Sequence, residues 1–346
     1  MGTPAGYHVR PPTPDDLGAV AAVLAADDLD DAGRVVLDAE FVRDGWGRPD
    51  FDLANDAWVV ADDAGTVVAY GQVTRDEGDV VESWGVVHPA YRGRGLGPSL
   101  LDRIEERGAA LTASSPSARF RHAINAGDTA AAALLRSRGL HLVRHFWHME
   151  IEFGLVGSGT QSGSGRQPQP GSRPEPGPQP QGIEICGLGG PDDLEAVHAV
   201  IDEAFADHWD HVSEPFDRWV EEMTRGPSYD PTLWLLAKRD GELVGALTAI
   251  VLGERGWVGL LGVLAAHRGR GIAAALLRRS FVAFAARGIG RVLLAVDAEN
   301  PTGATALYEH VGMSVVKRWD LWERPLGRGG RWAGGSAPDP GSAPRS

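Results

Sequence analysis

The chain has 346 residues, 43% of them hydrophobic, with 33 Lys and Arg against 47 Asp and Glu and a net charge of −14. The acidic balance weighs against nucleic acid or an anionic membrane as partner, and no apolar run approaches the roughly 18–20 residues of a membrane span. A single cysteine, Cys186, excludes an intramolecular disulfide and a cysteine-only zinc site. The opening Met1-Gly2-Thr3-Pro4-Ala5-Gly6 lacks a basic-then-apolar secretion signal, so a cytoplasmic location is expected.

In chain order, a strand at Tyr7–Arg10 leads into a helix that starts near Thr13, with Asp15 and Asp16 in its first turn. Leu17, Val20, Ala21 and Leu24 recur there at helical spacing. After a less regular acidic and aromatic stretch, Trp58–Ala61 and Val67–Tyr70 flank Asp62-Asp63-Ala64-Gly65, a hairpin signal. Trp84-Gly85-Val86-Val87 then runs into Arg92-Gly93-Arg94-Gly95-Leu96-Gly97 and a helix. A helix at Thr129–Ser137, Gly139 and a strand at Leu140–Ile151 follow. From about 154 to 182 the sequence is Gly, Ser, Pro and Gln with almost no apolar content, predicted to be a disordered or extended linker.

The same order then returns. A strand at Ile183–Cys186, in which Cys186 reads as a small hydrophobe, precedes a helix carrying Leu194, Val197, Val200 and Ile201. Leu233–Ala237 and Leu243–Leu247 flank an Asp240-Gly241 turn. Gly259–Leu264 enters Arg268-Gly269-Arg270-Gly271-Ile272-Ala273 and a helix. The strand Val292–Val296, a helix from about Thr302 to His310 closed by Gly312, and the strand Ser314–Trp322 complete the series. Landmarks repeat at a near-constant offset: Pro14-Asp15-Asp16-Leu17 with Pro191-Asp192-Asp193-Leu194 at 177, and Trp58, Gly65 and Arg92 with Trp234, Gly241 and Arg268 at 176. The expected organisation is a first domain at 1–154, a linker at 155–182, a second domain at 183–326 and a disordered tail at 327–346.

Strand, glycine turn and helix start make a geometry for holding phosphate. Glycine lets the backbone approach closely, and free amides with the helix dipole face the anion. On Arg92-x-x-Gly95-x-Gly97 and Arg268-x-x-Gly271-x-Ala273, with the repeated element order, the chain resembles the GNAT acyltransferase superfamily, and in particular its tandem, mycothiol synthase-like actinobacterial members. The segment Val296-Asp297-Ala298-Glu299-Asn300-Pro301-Thr302-Gly303-Ala304, then Tyr308 and Gly312, resembles the superfamily's second cofactor motif. The resemblance implies an α/β (α+β) fold of two tandem domains, each a mixed, mostly antiparallel sheet flanked by helices. It implies acetyl-CoA as cosubstrate. The cofactor-binding residues would be Val87, Arg92, Gly93, Arg94, Gly95, Leu96 and Gly97 in the first half, and Val263, Arg268, Gly269, Arg270, Gly271, Ile272, Ala273 and Asn300 in the second. An acceptor amine would attack the thioester directly, and Tyr308 would return a proton to the departing thiolate.

The halves differ where chemistry would occur. Aligning Gly139 with Gly312 sets Leu135 opposite Tyr308, and leucine donates no proton; Asn125 lies near the Asn300 position without the Asn-Pro-Thr-Gly run. Catalysis is therefore expected in the second half. The position that is acidic in the mycothiol synthase-like members falls on Trp257, with Glu254 a turn earlier, so Glu254 is the candidate base and Glu82 its first-half counterpart. His208, Asp210 and His211 do not carry a full metal-ligand pattern; by its place in the fold their segment lines the acceptor pocket. The expected activity is N-acetyl transfer to a small-molecule amine or a peptide N-terminus by a monomer or homodimer. The alternative is a non-catalytic acyl-CoA-binding module.

Overall fold

The computed structural model describes residues 2–326 except 49, 77–78, 155–172, 227 and 301, so the expected tail and most of the expected linker lie outside it. The first half contains β1 (Tyr7–Arg10), α1 (Leu17–Ala32), α2 (Ala39–Trp46), α3 (Leu53–Asp56), β2 (Ala57–Asp62), β3 (Val67–Asp76), β4 (Val80–Val87), α4 (Leu96–Leu111), β5 (Arg119–Asn125), α5 (Thr129–Ser137) and β6 (His141–Glu152). The second contains β7 (Glu184–Gly187), α6 (Asp192–Phe205), α7 (Phe216–Thr224), β8 (Leu235–Arg239), β9 (Glu242–Leu252), β10 (Arg255–Val263), α8 (Ile272–Ala286), β11 (Arg291–Asp297), α9 (Ala304–His310) and β12 (Ser314–Pro325). The irregular stretch before β2 holds two short helices, α2 and α3, and its second-half counterpart before β8 holds α7. Asp38 caps α2 by accepting from the amides of Glu40 and Phe41, whereas α7 follows Pro215 and buries Trp219. Helices of two turns carry too little periodicity to stand out in the sequence.

All strands form one 12-stranded sheet in the order β1-β2-β3-β4-β5-β12-β6-β11-β10-β9-β8-β7. Among the described residues only β4–β5 and β10–β11 run parallel. The mixed, mostly antiparallel sheet flanked by helices is thus as expected, but each half's last strand sits in the other half. Strand β12 pairs with β5 from Trp319↔Asn125 to Pro325↔Arg119, and β6 pairs with β11 from Arg291↔Glu152 to Asp297↔Phe146. The two exchanged strands meet antiparallel at the centre. A strand's alternating pattern specifies which face is buried, not which neighbour it takes. The sequence therefore carried no sign of the exchange.

The cores follow the sheet. Met149 and Ile151 of β6 lie in the second half's core with Leu276, Phe281, Phe284 and Val292, while Trp322 of β12 lies in the first half's core with Leu100, Ile104 and Phe120. On the opposite face Val20, Leu24, Val36 and Val42 of the first half pack with Leu293 and Trp257 of the second. Each such side chain contributes roughly 1.5–3 kcal/mol by burial. Arg255 extends this contact, donating to the Val36 carbonyl and pairing with Asp38 at 2.6 Å.

Candidate active site

Both glycine loops form helix starts. Gly95 and Gly271 cap α4 and α8 with φ of 81° and 78°, left-handed values that favour glycine. The first-turn amides beyond them have no helical acceptor, and neither first turn carries a carboxylate. In the second half these are the amides of Ile272, Ala273 and Ala274. In the first half Pro98 removes one donor.

Beyond Val258↔Leu294 strands β10 and β11 no longer pair, although both continue toward the loop. The opening is a cavity of about 430 Å³, lined by Gly259–Val263 except Leu260, by Arg268, Gly269, Gly271, Ile272 and Ala273, and by Asn300, Leu307 and Tyr308. Phe146, from the exchanged strand β6, closes one wall. The β9–β10 register shifts between Val258 and Leu261, and the Leu260 amide bonds Thr248 Oγ1 at 2.9 Å instead of the ladder. Such bulges re-aim backbone groups beside active sites. Helix α6 presses close to this strand: a Cβ on Gly262 would stand 2.9 Å from Ala204. Tyr308 is 8% exposed, burial pushes its phenol up to about 12, and its hydroxyl has no hydrogen-bond partner among the described residues. Asn300 Oδ1 accepts from the Thr302 amide and hydroxyl at 2.8 and 2.7 Å, which leaves its Nδ2 facing His208 Nε2 at 3.5 Å.

Comparison with known proteins agrees with this geometry. The acetyltransferase (GNAT) family model matches residues 194–313, and an acetyltransferase (GNAT) domain model matches residues 54–139. A mycothiol acetyltransferase of Beutenbergia cavernae is 32% identical over 266 residues, covering 75% of this chain and 80% of that one. This chain belongs to the GNAT acetyltransferase family. A GCN5-related N-acetyltransferase from Sphaerobacter thermophilus superposes with a TM-score of 0.78 at 32% identity, over 94% of this chain and 98% of the other. A tandem GNAT protein from the clavulanic acid biosynthesis pathway shares the fold, with a TM-score of 0.63 at 18% identity over 92% and 98% of the two chains. The protein is an acetyltransferase with acetyl-CoA as cosubstrate.

The GNAT motif arginines brace their loops. Arg268 Nε donates to the Val263 carbonyl at 3.0 Å and Nη2 to the Ala204 carbonyl at 2.9 Å. Arg92 Nε donates to the Val87 carbonyl at 3.3 Å, but its other nitrogens go to Asp30 and Asp27 at 2.6 and 2.7 Å. Arg94 and Arg270 turn back onto the carbonyls of Ala90 and Ala266 and line neither cavity. The first-half cavity, about 340 Å³, is lined by Val87, Arg92, Gly93, Gly95, Leu96, Gly97 and Leu135, and by Lys317 and Trp319 from the exchanged strand β12. Asp27 lines it too, holding Arg92 with one carboxylate oxygen and accepting from Asn125 Nδ2 at 2.8 Å with the other. It ties the ends of β4 and β5 together where the second half has only Ala204.

Most of the expected second-half site residues converge on one cavity; Glu254 does not. It is exposed in the β9–β10 turn, at the end of β10 remote from the glycine loop, because the strand is longer than the motif alignment allowed for. Trp257 points to the α1–α2 face, against His148, and Glu82 stands 3.7 Å from Arg121. The strand exchange brought Phe146 to the site, and Asp297 at the end of β11 also lines it. Asp210 pairs with Arg119 and Arg121, and His211 Nε2 with Asp202 at 3.0 Å. Of His208, Asp210 and His211 only His208 reaches this cavity. No helix among the described residues is long and apolar enough to cross a membrane.

Proposed function

We propose that the second half, residues 183–326 completed by β6, transfers the acetyl group of acetyl-CoA to an amine of a small molecule. The observation that carries this reading is the second-half cavity itself. Among the described residues it alone combines an open strand splay, a bulged β10 and the phenol of Tyr308 beside the glycine loop. The amides at the start of α8 hold the pyrophosphate, and the unpaired edge of β10 takes the pantetheine arm as an added strand. Tyr308, kept protonated by burial, donates its proton to the thiolate as the carbon–sulfur bond breaks. The first half, with Leu135 in that place and Asp27 bound to Arg92 and Asn125, supports the fold and lends Phe146.

The acceptor enters from the α6 side. A second cavity of about 360 Å³ lies there, sharing Phe205 with the first and lined by Asp202, Asp210, Glu214 and Glu222. Arg121 lines it too, and the carboxylates are engaged: Asp210 with Arg121, Asp202 with His211, Glu214 with Arg218 and Glu222 with Arg48, so its value to an acceptor is room beside the first cavity rather than free charge. Relatives named mycothiol acetyltransferase favour a small-molecule acceptor over a peptide. The test is thiol release from acetyl-CoA across amines, aminoglycosides, amino acids and peptides. Turnover with one or more small amines is expected. Tight acetyl-CoA binding with no turnover for any acceptor would instead support a non-catalytic acyl-CoA-binding module.

A further inference from the structure

An amine nitrogen turns positive as it bonds the thioester carbon, so a group beside it must take a proton. Glu254 stands outside the cavity, and His208 turns one ring nitrogen onto Asn300 Nδ2. Resting on the transferase reading above, we propose that Asp297 is the general base, orienting the acceptor nitrogen through Oδ2.

Among the described residues that line the second-half cavity, Asp297 is the one carboxylate. Leu294 is the last residue of β11 paired with β10, and Asp297 ends the strand beyond it, where the two have splayed. Its Oδ1 accepts from the Glu299 amide at 2.8 Å, which fixes the group. Its Oδ2 has no hydrogen-bond donor among the described residues. Arg144 Nε stands 3.8 Å from it, too far for a hydrogen bond. Arg144 instead gives Nη1 to Glu299 at 2.7 Å and lays its guanidinium over the Trp209 ring. A carboxylate oxygen so placed keeps its lone pairs for an incoming N–H. His267 also lines the cavity, but it adjoins Arg268 and the glycine loop, at the end assigned to the pyrophosphate. The repeat supplies a contrast. Asn125 and Asp297 are the last residues of β5 and β11, and each pairs with a residue of an exchanged strand, Trp319 and Phe146. An amide in that place takes no proton, and Asn125 gives its Nδ2 to Asp27 at 2.8 Å. The first half thus lacks the carboxylate as well as the phenol.

The neutral amine sets one N–H on Asp297 Oδ2 and turns its lone pair toward the thioester carbon. As the nitrogen–carbon bond forms, that proton passes to Oδ2. The carbon–sulfur bond breaks with its electron pair going to sulfur, and Tyr308 protonates the sulfur. The proton on Asp297 then returns through water to the Tyr308 phenolate. The products are the acetamide and the free CoA thiol, and both side chains are restored.

Two variants of the full chain test the role. Asp297→Asn keeps an acceptor for the Glu299 amide and removes only the base. With each amine that the wild type acetylates, its turnover should fall on the order of 10²-fold, while calorimetry shows acetyl-CoA affinity within about twofold of wild type. Asp297→Ala opens room for a small carboxylate. Added formate should raise its turnover roughly tenfold and leave Tyr308→Phe unchanged. Wild-type turnover in Asp297→Asn would overturn the assignment. So would a loss matched by weaker acetyl-CoA binding, or no gain from formate, since either marks a purely structural carboxylate. These results leave the transferase reading standing. A wild type with no turnover on any amine rejects that reading and the role of Asp297 together.

Discussion

Burial sets the state of two side chains, Tyr308 and Lys317, and backbone conformation decides a third residue, Gly271. Tyr308 must stay protonated, and its buried phenol, at about 12, does so at any ordinary assay pH. Tyr308→Phe keeps the ring and deletes the donor, so turnover should drop on the order of 10²-fold with little change in acetyl-CoA affinity; wild-type rates at every pH with chemistry rate-limiting would remove Tyr308 from the mechanism. Gly271 sits at φ of 78° at the N-terminal cap of α8, beside the proposed pyrophosphate site. In Gly271→Asp a strained backbone and a carboxylate would meet the pyrophosphate, and calorimetry should register at least a roughly 100-fold weaker second-half site. Lys317 is a different case. Its side chain is 1% exposed and ion-paired with Asp28, itself fully buried, which also accepts from the Val36 and Leu37 amides. Lys317→Met strands that carboxylate and should cost about 3–5 kcal/mol in urea unfolding. The double variant with Asp28→Asn should recover part of the loss; an additive double variant would mean the pair is not coupled.

At the level of elements, the central strands carry two histidines that fold in the neutral form. His122 of β5 donates to Ser83 Oγ at 2.8 Å, the serine having given its own proton to the Arg121 carbonyl. His148 of β6 is wedged edge-on against Trp257 and Trp319. Burial lowers both to about 4. A depressed folded value means that stability is full above the unfolded value of roughly 6.5 and falls as pH drops toward 4, because the unfolded chain takes up the protons first. Denaturation followed between pH 7 and 4 should show roughly 3 kcal/mol lost per histidine. Replacing His148 with Phe should flatten the curve by about half; an unchanged slope would place the acid sensitivity elsewhere.

For the whole molecule the exchange of β6 and β12 is decisive. Neither half can complete its sheet with the neighbour it has in this fold unless the other is present, and Met149, Ile151 and Trp322 are buried in the opposite core. Polypeptides 1–154 and 173–326 produced together should therefore elute as a one-to-one pair and retain acetyl transfer. Produced alone, each exposes a sheet edge beside β5 or β11 and should dimerise or aggregate. Two stable monomers with native-like spectra would show that the exchange is dispensable. Lys317 with Asp28, and Arg255 with Asp38, add polar ties across the same boundary.

The sequence by itself determined the order of the strands and the longer helices, the repeat, the glycine loops and the position of Tyr308, because each is a local pattern. A Gly at a left-handed helix cap, alternation along a strand and a fixed offset between copies are all carried by near neighbours in the chain. The family follows from those same local patterns. Which residues share a cavity was decided only by the tertiary structure. Phe146 is brought to the second-half site by strand pairing across the halves, Asp27 joins Arg92 to Asn125 at the first-half cavity, and Glu254 is carried away by the length of β10. His208 stood in the sequence as part of a weak His-x-x-His; only the packing of α6 on β9 and β10 set it beside Asn300. Long-range pairing and the direction a side chain takes depend on what packs against the element from elsewhere, and a linear pattern does not encode that.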